Sequence, residues 1–251
     1  MFNKIKYLSL FFLVCISCKK DTSTILTSES FSEEYRGDCT GNNCAQVSID
    51  YIKIKGDDEV ATQINFTTGN FIIYFLNSNF DRKIKATTIS EAAKQFLENY
   101  EIDKKEYPDL SPYQAEVSMS VSYSSPEILS IRAEYYTYSG GAHGNMRTEF
   151  LNFNPETGSL LTMSSLLENK KGFTGLAEQL FRAENNIAPH ENINSTGYWF
   201  DKDTFYLPDF IGFSETEILL IYNQYQIASY ADGPIELLIP IEKALPFLKV
   251  K

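Results

Sequence analysis

The feature that most constrains the fold is a strict period-two alternation in the middle of the chain. Apolar side chains at Val117, Met119 and Val121 alternate with serines, and the alternation resumes at residues 129–136 after a short turn. A period of two places apolar residues on one face of a strand and polar residues on the other. A third such stretch follows at 147–153. These residues therefore predict an antiparallel meander of three or four strands with one wet face.

Three other segments have the periodicity of helices. In the firmest of them, Thr88 and Glu91 have the spacing of a capping box, and apolar residues then recur at intervals of three and four. The predicted helices cover 58–75, 89–104 and 172–187, and further strands are predicted at 45–55, 217–222 and 235–239. We therefore predict an α+β fold, with the helices packed against one antiparallel sheet built chiefly from residues 115–163 and 204–240.

The charge of the chain limits its partners. Thirty-three acidic and 22 basic residues give a net charge of −11, and loss of Lys4 and Lys6 with a leader would lower it to −13. Because nucleic-acid binding depends on Lys and Arg displacing counterions, no nucleic-acid partner is expected. The acidic surface either attracts a cationic partner or serves solubility alone.

The N-terminus predicts export. Two lysines precede an apolar run at 7–16 that is too short to span a bilayer, so residues 1–17 are interpreted as a signal peptide. Ser17 followed by Cys18 resembles a bacterial lipobox of the loose, Bacteroidetes-like kind, although Cys15 stands where leucine is usual. Cys18 is therefore the predicted lipidation site, and residues 18–44 are predicted to be a flexible tether. The alternative is a secreted protein in which Cys18 merely lies near the cleavage point.

The two remaining cysteines are Cys39 and Cys44. The Gly- and Asn-containing loop between them can turn the chain back far enough for a disulfide, which an oxidising compartment would preserve. No second cysteine pair or nearby histidine completes four metal ligands. A small disulfide loop is predicted, and free thiols are the alternative.

The most distinctive local sequence is the Gly-Gly-Ala-His-Gly turn after the second strand of the meander. Glycines allow positive φ and close backbone approach, and histidine titrates near neutral pH. A structural turn, a ligand or partner surface, and catalysis all remain open for it. The candidate binding residues are the turn and two tyrosines on the wet face: Tyr136, Tyr138, Gly140, Gly141, His143 and Gly144.

Sequence motifs of catalysis are missing. The chain has no nucleophile elbow, phosphate loop or dinucleotide fingerprint, and the only other histidine, His190, forms no metal-binding pair with His143. The acids Asp201, Asp203 and Asp209 lack the spacing of a calcium loop. No catalytic residue, metal or cofactor is predicted. The single tryptophan, Trp199, is interpreted as a core residue, with stacking on sugar rings or anchoring of a protein partner as the alternatives.

Two separated segments carry a family resemblance. The first is Tyr135 to Leu167, reading YYTYSGGAHGNMRTEFLNFNPETGSLLTMSSLL, and the second is the tail from Tyr225 to Pro240, which matches a Y.IA.YA.GP.E..IP pattern. Together they resemble the extracytoplasmic domain shared by RsiV-type anti-sigma factors and PdaC-type peptidoglycan deacetylases. The resemblance implies one such domain over 45–251. Its length also allows a division into two small lobes, at 45–112 and 113–251.

What the resemblance implies about function is binding. RsiV-type proteins recognise lysozyme, whereas catalysis in the deacetylases resides in a separate metal-dependent domain whose paired-histidine motif this sequence lacks. We therefore expect a non-catalytic lipoprotein, attached through a lipid anchor to the outer membrane, that recognises lysozyme or another cationic envelope protein. The alternatives are a module that binds peptidoglycan or another cell-wall glycan, and a hydrolase with an unrecognised site near His143.

Overall fold

The computed structural model describes residues 27–37, 44–78 and 82–250. The predicted signal peptide at 1–17, the predicted lipidation site Cys18 and the cysteine Cys39 lie outside these residues. Among the described residues, no helix has the length and apolar composition needed to cross a membrane.

The first lobe is a five-stranded sheet with two helices. Its strands, in spatial order, are β1 (Ser28–Arg36), β2 (Gln46–Ile54), β3 (Gln114–Ser124), β4 (Leu129–Tyr138) and β5 (Asn145–Phe153). Strands β2 and β3 are parallel, and the other pairs are antiparallel. The crossover between the parallel pair is made of α1 (Glu59–Asn77) and α2 (Ile89–Glu106), which complete one apolar core with the sheet.

Local sequence explains where both helices begin. The Asp58 side chain accepts a hydrogen bond from the Ala61 N–H, which caps α1. The predicted capping box of Thr88 and Glu91 is present at the start of α2. The predicted helices at 58–75 and 89–104 are confirmed.

The second lobe surrounds a smaller sheet. Its elements are α3 (Met163–Leu166), α4 (Lys170–Glu184), β6 (Ile211–Phe213), β7 (Glu217–Tyr222), β8 (Ile235–Pro240) and α5 (Ile241–Ala244). The three strands form an antiparallel sheet in the order β6-β7-β8. Its core is rich in rings, because Phe181 packs against Phe200, Phe205 and Tyr222.

Strand β5 joins the two lobes because it is buried on both faces. Leu151 and Phe153 point into the first core, whereas Thr148, Phe150 and Asn152 face the second lobe. Gly212 of β6 leaves room for the Phe150 ring, since a Cβ there would lie 2.3 Å from a ring carbon.

Two hydrogen-bonded contacts fix the position of the second lobe against this strand. Asn152 donates to the Ile211 carbonyl, and Asn223 makes a reciprocal amide pair with the backbone of Thr148.

The predicted α+β class is confirmed, but the single antiparallel sheet was wrong. Two separate sheets replace the single sheet, and one strand pair is parallel. The division between the two cores falls near Phe153 rather than at 112/113. Part of the predicted tether at 18–44 belongs to the fold, because β1 lies within it and pairs with β2 along its whole length.

Candidate functional site

The predicted Gly-His turn connects β4 to β5 and follows the geometry its glycines suggest. Gly140 and Gly141 have φ values of +94° and +90°, a region that side chains with a Cβ seldom adopt. Gly144 is required for a different reason, because a Cβ there would lie 2.1 Å from the Tyr136 ring. The turn therefore closes directly over that tyrosine.

His143 projects from this turn onto two tyrosines of the second lobe. Its ring stacks on Tyr230 with centroids 3.9 Å apart, and the Tyr225 ring lies 6.4 Å away. The Tyr225 and Tyr230 rings are themselves 5.7 Å apart. The three rings thus form one cluster from residues more than 80 positions apart in the chain.

Hydrogen bonds fix the orientation of the histidine ring. Nδ1 lies 2.8 Å from the Gly144 carbonyl, which can only accept, so Nδ1 carries the proton. In the neutral ring, Nε2 then accepts from the Tyr225 hydroxyl at 3.3 Å. The Tyr230 hydroxyl donates to the same Gly144 carbonyl at 3.0 Å. Both ring nitrogens therefore have partners within the protein.

Two further aromatic residues bond to the backbone that follows Tyr225. The backbone N–H of Trp199 donates to the Ile227 carbonyl, and the Tyr206 hydroxyl donates to the Gln226 carbonyl. Trp199 is 45% exposed, so its interpretation as a core residue was wrong. We call the surface formed by His143, Trp199, Tyr206, Tyr225 and Tyr230 the aromatic seam.

Tyr225 is the most unusual residue of the aromatic seam. Its φ is +68°, in the left-handed region that a bulky side chain adopts at a cost of roughly 1–2 kcal/mol. Its side chain is nevertheless 56% exposed, so core burial does not compensate for the strain. Strained residues of this kind are concentrated at functional sites.

Carboxylates lie near Tyr206 of the aromatic seam. Burial raises the pKa of Tyr206, and the nearby charges of Asp201 and Asp209 raise it further. The pKa of Tyr198, which precedes Trp199, is raised by burial and then by the charges of Asp232 and Glu184. Tyr206 therefore lies in the negative field of two carboxylates.

The binding residues predicted from the sequence differ in how exposed they are in the structure. Gly141 and His143 are exposed, whereas Tyr136 is half-buried beneath Gly144, because the second lobe covers part of the face predicted to be wet. Burial raises the pKa of Tyr136, with smaller contributions from Tyr230, Glu116 and Tyr138. The Tyr138 hydroxyl donates to the Gly141 carbonyl at 3.3 Å. A binding role for these residues stays a prediction.

The described contacts of the His143 ring nitrogens are a backbone carbonyl and a phenol. Among the described residues, no group of three or more His, Cys, Asp and Glu side chains is placed to hold a metal ion.

The structure describes only one of the two cysteines of the predicted disulfide. Cys44 is bonded in a disulfide. Cys39 lies outside the described residues, so the pairing of Cys39 with Cys44 stays a prediction.

Two family models match consecutive parts of the chain. A model described as Deacetylase PdaC matches residues 38–146, and one described as a protein of unknown function, DUF3298, matches residues 153–242. The junction between the matches coincides with the division between the two cores. No curated protein matches the chain.

Solved structures share the whole fold. A DUF3298-family member from Bacteroides fragilis has a TM-score of 0.69 at 20% identity, covering 89% of this chain and 93% of its own. A DUF3298-family protein from Pseudomonas aeruginosa has a TM-score of 0.67 at 19% identity, covering 89% and 94%. The fold and the two matches define a class of two-lobed α+β proteins. This chain belongs to the PdaC/DUF3298 type, a domain of unknown function, and the resemblance to PdaC-type proteins is confirmed.

Proposed function

We propose that this protein is a non-catalytic binding protein of the cell envelope whose aromatic seam recognises a cationic protein. The observation that carries the proposal is Tyr225, an exposed ring held in a left-handed backbone conformation. Natural selection tolerates such strain where the side chain is needed at that position. A ring that is neither buried nor relaxed is explained by contact with a partner.

The charge around the seam supports a cationic partner. Arg and Lys side chains are attracted both by the face of an aromatic ring and by a carboxylate. Aromatic residues at protein interfaces often carry much of the binding free energy. Asp201 and Asp209 lie close enough to Tyr206 to raise its pKa. Lysozyme, the partner implied by the family resemblance, is a basic protein and is therefore the first candidate.

The location follows from the N-terminus. Cys18 would carry the lipid anchor that attaches the protein to the outer membrane. Labelling of cells with an alkyne fatty acid should mark the protein expressed from the full-length sequence, and Cys18→Ser should abolish the label. Persistent label in that variant would contradict lipidation at Cys18.

The binding proposal is tested by calorimetric titration of the purified protein with lysozyme at low salt. We expect saturable binding that Tyr225→Ala and Asp201→Asn/Asp209→Asn each weaken about tenfold. Tyr107→Ala is the matched control, since this tyrosine is 58% exposed and lies in the first lobe, outside the aromatic seam. Equal weakening by the control would show that the seam is not the contact surface.

The same titration separates the alternatives. Binding of soluble peptidoglycan fragments without binding of lysozyme would replace the protein partner by a glycan. A hydrolytic activity on such fragments that His143→Ala removes would overturn the non-catalytic assignment. Absence of binding both to lysozyme and to an unrelated basic protein would contradict the proposal of a cationic partner.

A further inference from the structure

The outer face of α1 differs from every exposed surface described above. Helix α1 has one charged residue in 19, Glu59 at its first position, whereas α2 has eight in 18. The two most exposed large apolar side chains of the described residues, Phe66 and Tyr74, lie on α1, 64% and 66% exposed. In an acidic chain, an exposed helix face with large apolar side chains and almost no charge indicates a surface that contacts another molecule.

The arrangement of this face is symmetric. Phe66, Asn70 and Tyr74 are spaced by four residues and form one ridge of the type used in the commonest helix crossings. Asn70 lies at the midpoint between the two rings. If a second α1 approached in the antiparallel sense about a two-fold axis at Asn70, Phe66 would meet the partner's Tyr74, and Tyr74 the partner's Phe66. The two asparagines would meet at the axis, where each amide can donate and accept.

Gly69 is a second, independent indication. A glycine inside a helix costs roughly 1 kcal/mol relative to alanine, so it usually has a packing reason. Within this chain no such reason exists among the described residues, because a Cβ at Gly69 would meet no atom within 4 Å. The free space beside Asn70 instead permits close approach of another helix.

We propose that the outer face of α1, defined by Phe66, Gly69, Asn70 and Tyr74, is the contact through which two copies of this chain associate. Electrostatics favour a copy of this chain here and disfavour it elsewhere. Two molecules of net charge −11 repel each other, and α1 carries a single carboxylate, that of Glu59 at its N-terminal end.

The size of the face sets the expected affinity. Nineteen helical residues extend about 28 Å, and one helix pair buries less than the roughly 800 Å² per partner of a standard stable interface. The dimer is therefore expected to be weak, like other interfaces at the low end of the size range. Concentration dependence is the property to measure.

Sedimentation of the protein expressed from the full-length sequence, between about 10 μM and 1 mM, tests the proposal. We expect a monomer–dimer equilibrium that Asn70→Asp weakens at least about tenfold, because it places two like charges at the axis. Asn192→Asp adds the same charge at an exposed residue of the second lobe and should change nothing. A protein that stays monomeric over this range, or equal weakening by both variants, overturns the proposal.

Cross-linking supplies a second measurement that does not depend on a strong dimer. Asn70→Cys should form a covalent dimer with a short bismaleimide, because helix axes in contact lie about 8–10 Å apart. Glu98→Cys, at an exposed position of α2, is the control and should remain monomeric. Equal cross-linking of both variants would show random collision and remove the specific contact. These measurements do not involve the aromatic seam, so this inference and the proposed function fail separately.

Discussion

The aromatic seam and the outer face of α1 both expose large rings, yet they differ in charge. Asp201 and Asp209 lie near Tyr206 of the seam, whereas the α1 face carries amide and hydroxyl groups between Phe66 and Tyr74. Exposed aromatic area alone does not identify a partner. The difference in charge is why we propose a cationic protein at the seam and a second copy of this acidic chain at α1.

The two surfaces also differ in how the backbone holds their rings. Phe66 and Tyr74 project from a regular helix, whose position depends on the first core. Tyr225 occupies a strained conformation and depends on contacts from Tyr230 in its own lobe and from His143 in the first lobe. Perturbation of the junction between the lobes should therefore affect the seam and leave the α1 face intact.

The largest expected effect is that of Gly144→Ala. The added methyl group would lie within 2.3 Å of the Tyr136 ring and must displace it, so we expect a loss of about 2 kcal/mol and a fall in Tm of roughly 4–8 °C. Calorimetry measures the change in Tm, and titration should show weaker binding at the seam with unchanged α1 association. Gly175→Ala, in open space on α4, is the control and should be neutral or stabilising. An unchanged Tm for Gly144→Ala would contradict the packing described.

Salt should have opposite effects on the affinities of the two surfaces for their partners. Raising NaCl from about 50 to 500 mM screens attraction between the seam and a cationic partner, and we expect about tenfold weaker binding. The same salt screens repulsion between two acidic copies, so association through α1 should hold or strengthen. Titration and sedimentation at both salt concentrations measure the two responses. A parallel loss at both surfaces would invalidate the distinction by charge.

Local sequence predicted the elements whose signals are local. The alternation around Val117 identified β3 and β4, and the capping box at Thr88 identified the start of α2. Strand β1 was missed because its sequence is mostly polar and has no apolar alternation. It is a strand because it pairs with β2. The parallel pair β2 and β3 depends on contacts across two intervening helices, which no periodicity reports.

At the candidate site, too, local features were predicted from the sequence and contacts between distant residues were not. The glycines and His143 were predicted from residue type, because positive φ and close approach are properties of the turn itself. The contact of His143 with Tyr225 and Tyr230 joins residues over 80 positions apart, and period and spacing cannot report it. One signal was available, since both tyrosines belong to the second segment of the family resemblance. Two matching segments that carry exposed aromatic residues could have been expected to meet.

The smallest expected effect tests the strain at Tyr225. Both Tyr225→Ala and Tyr225→Gly remove the ring and should weaken binding at the seam to the same extent, but only glycine adopts a φ of +68° without strain. We therefore expect the glycine variant to be more stable than the alanine variant by about 1 kcal/mol, measured by urea unfolding. At Tyr107, whose φ is −124°, the order should reverse, because glycine loses more entropy on folding. Equal stability of the two variants at position 225 would mean that Tyr225 carries no strain, and the main support for a functional seam would be lost.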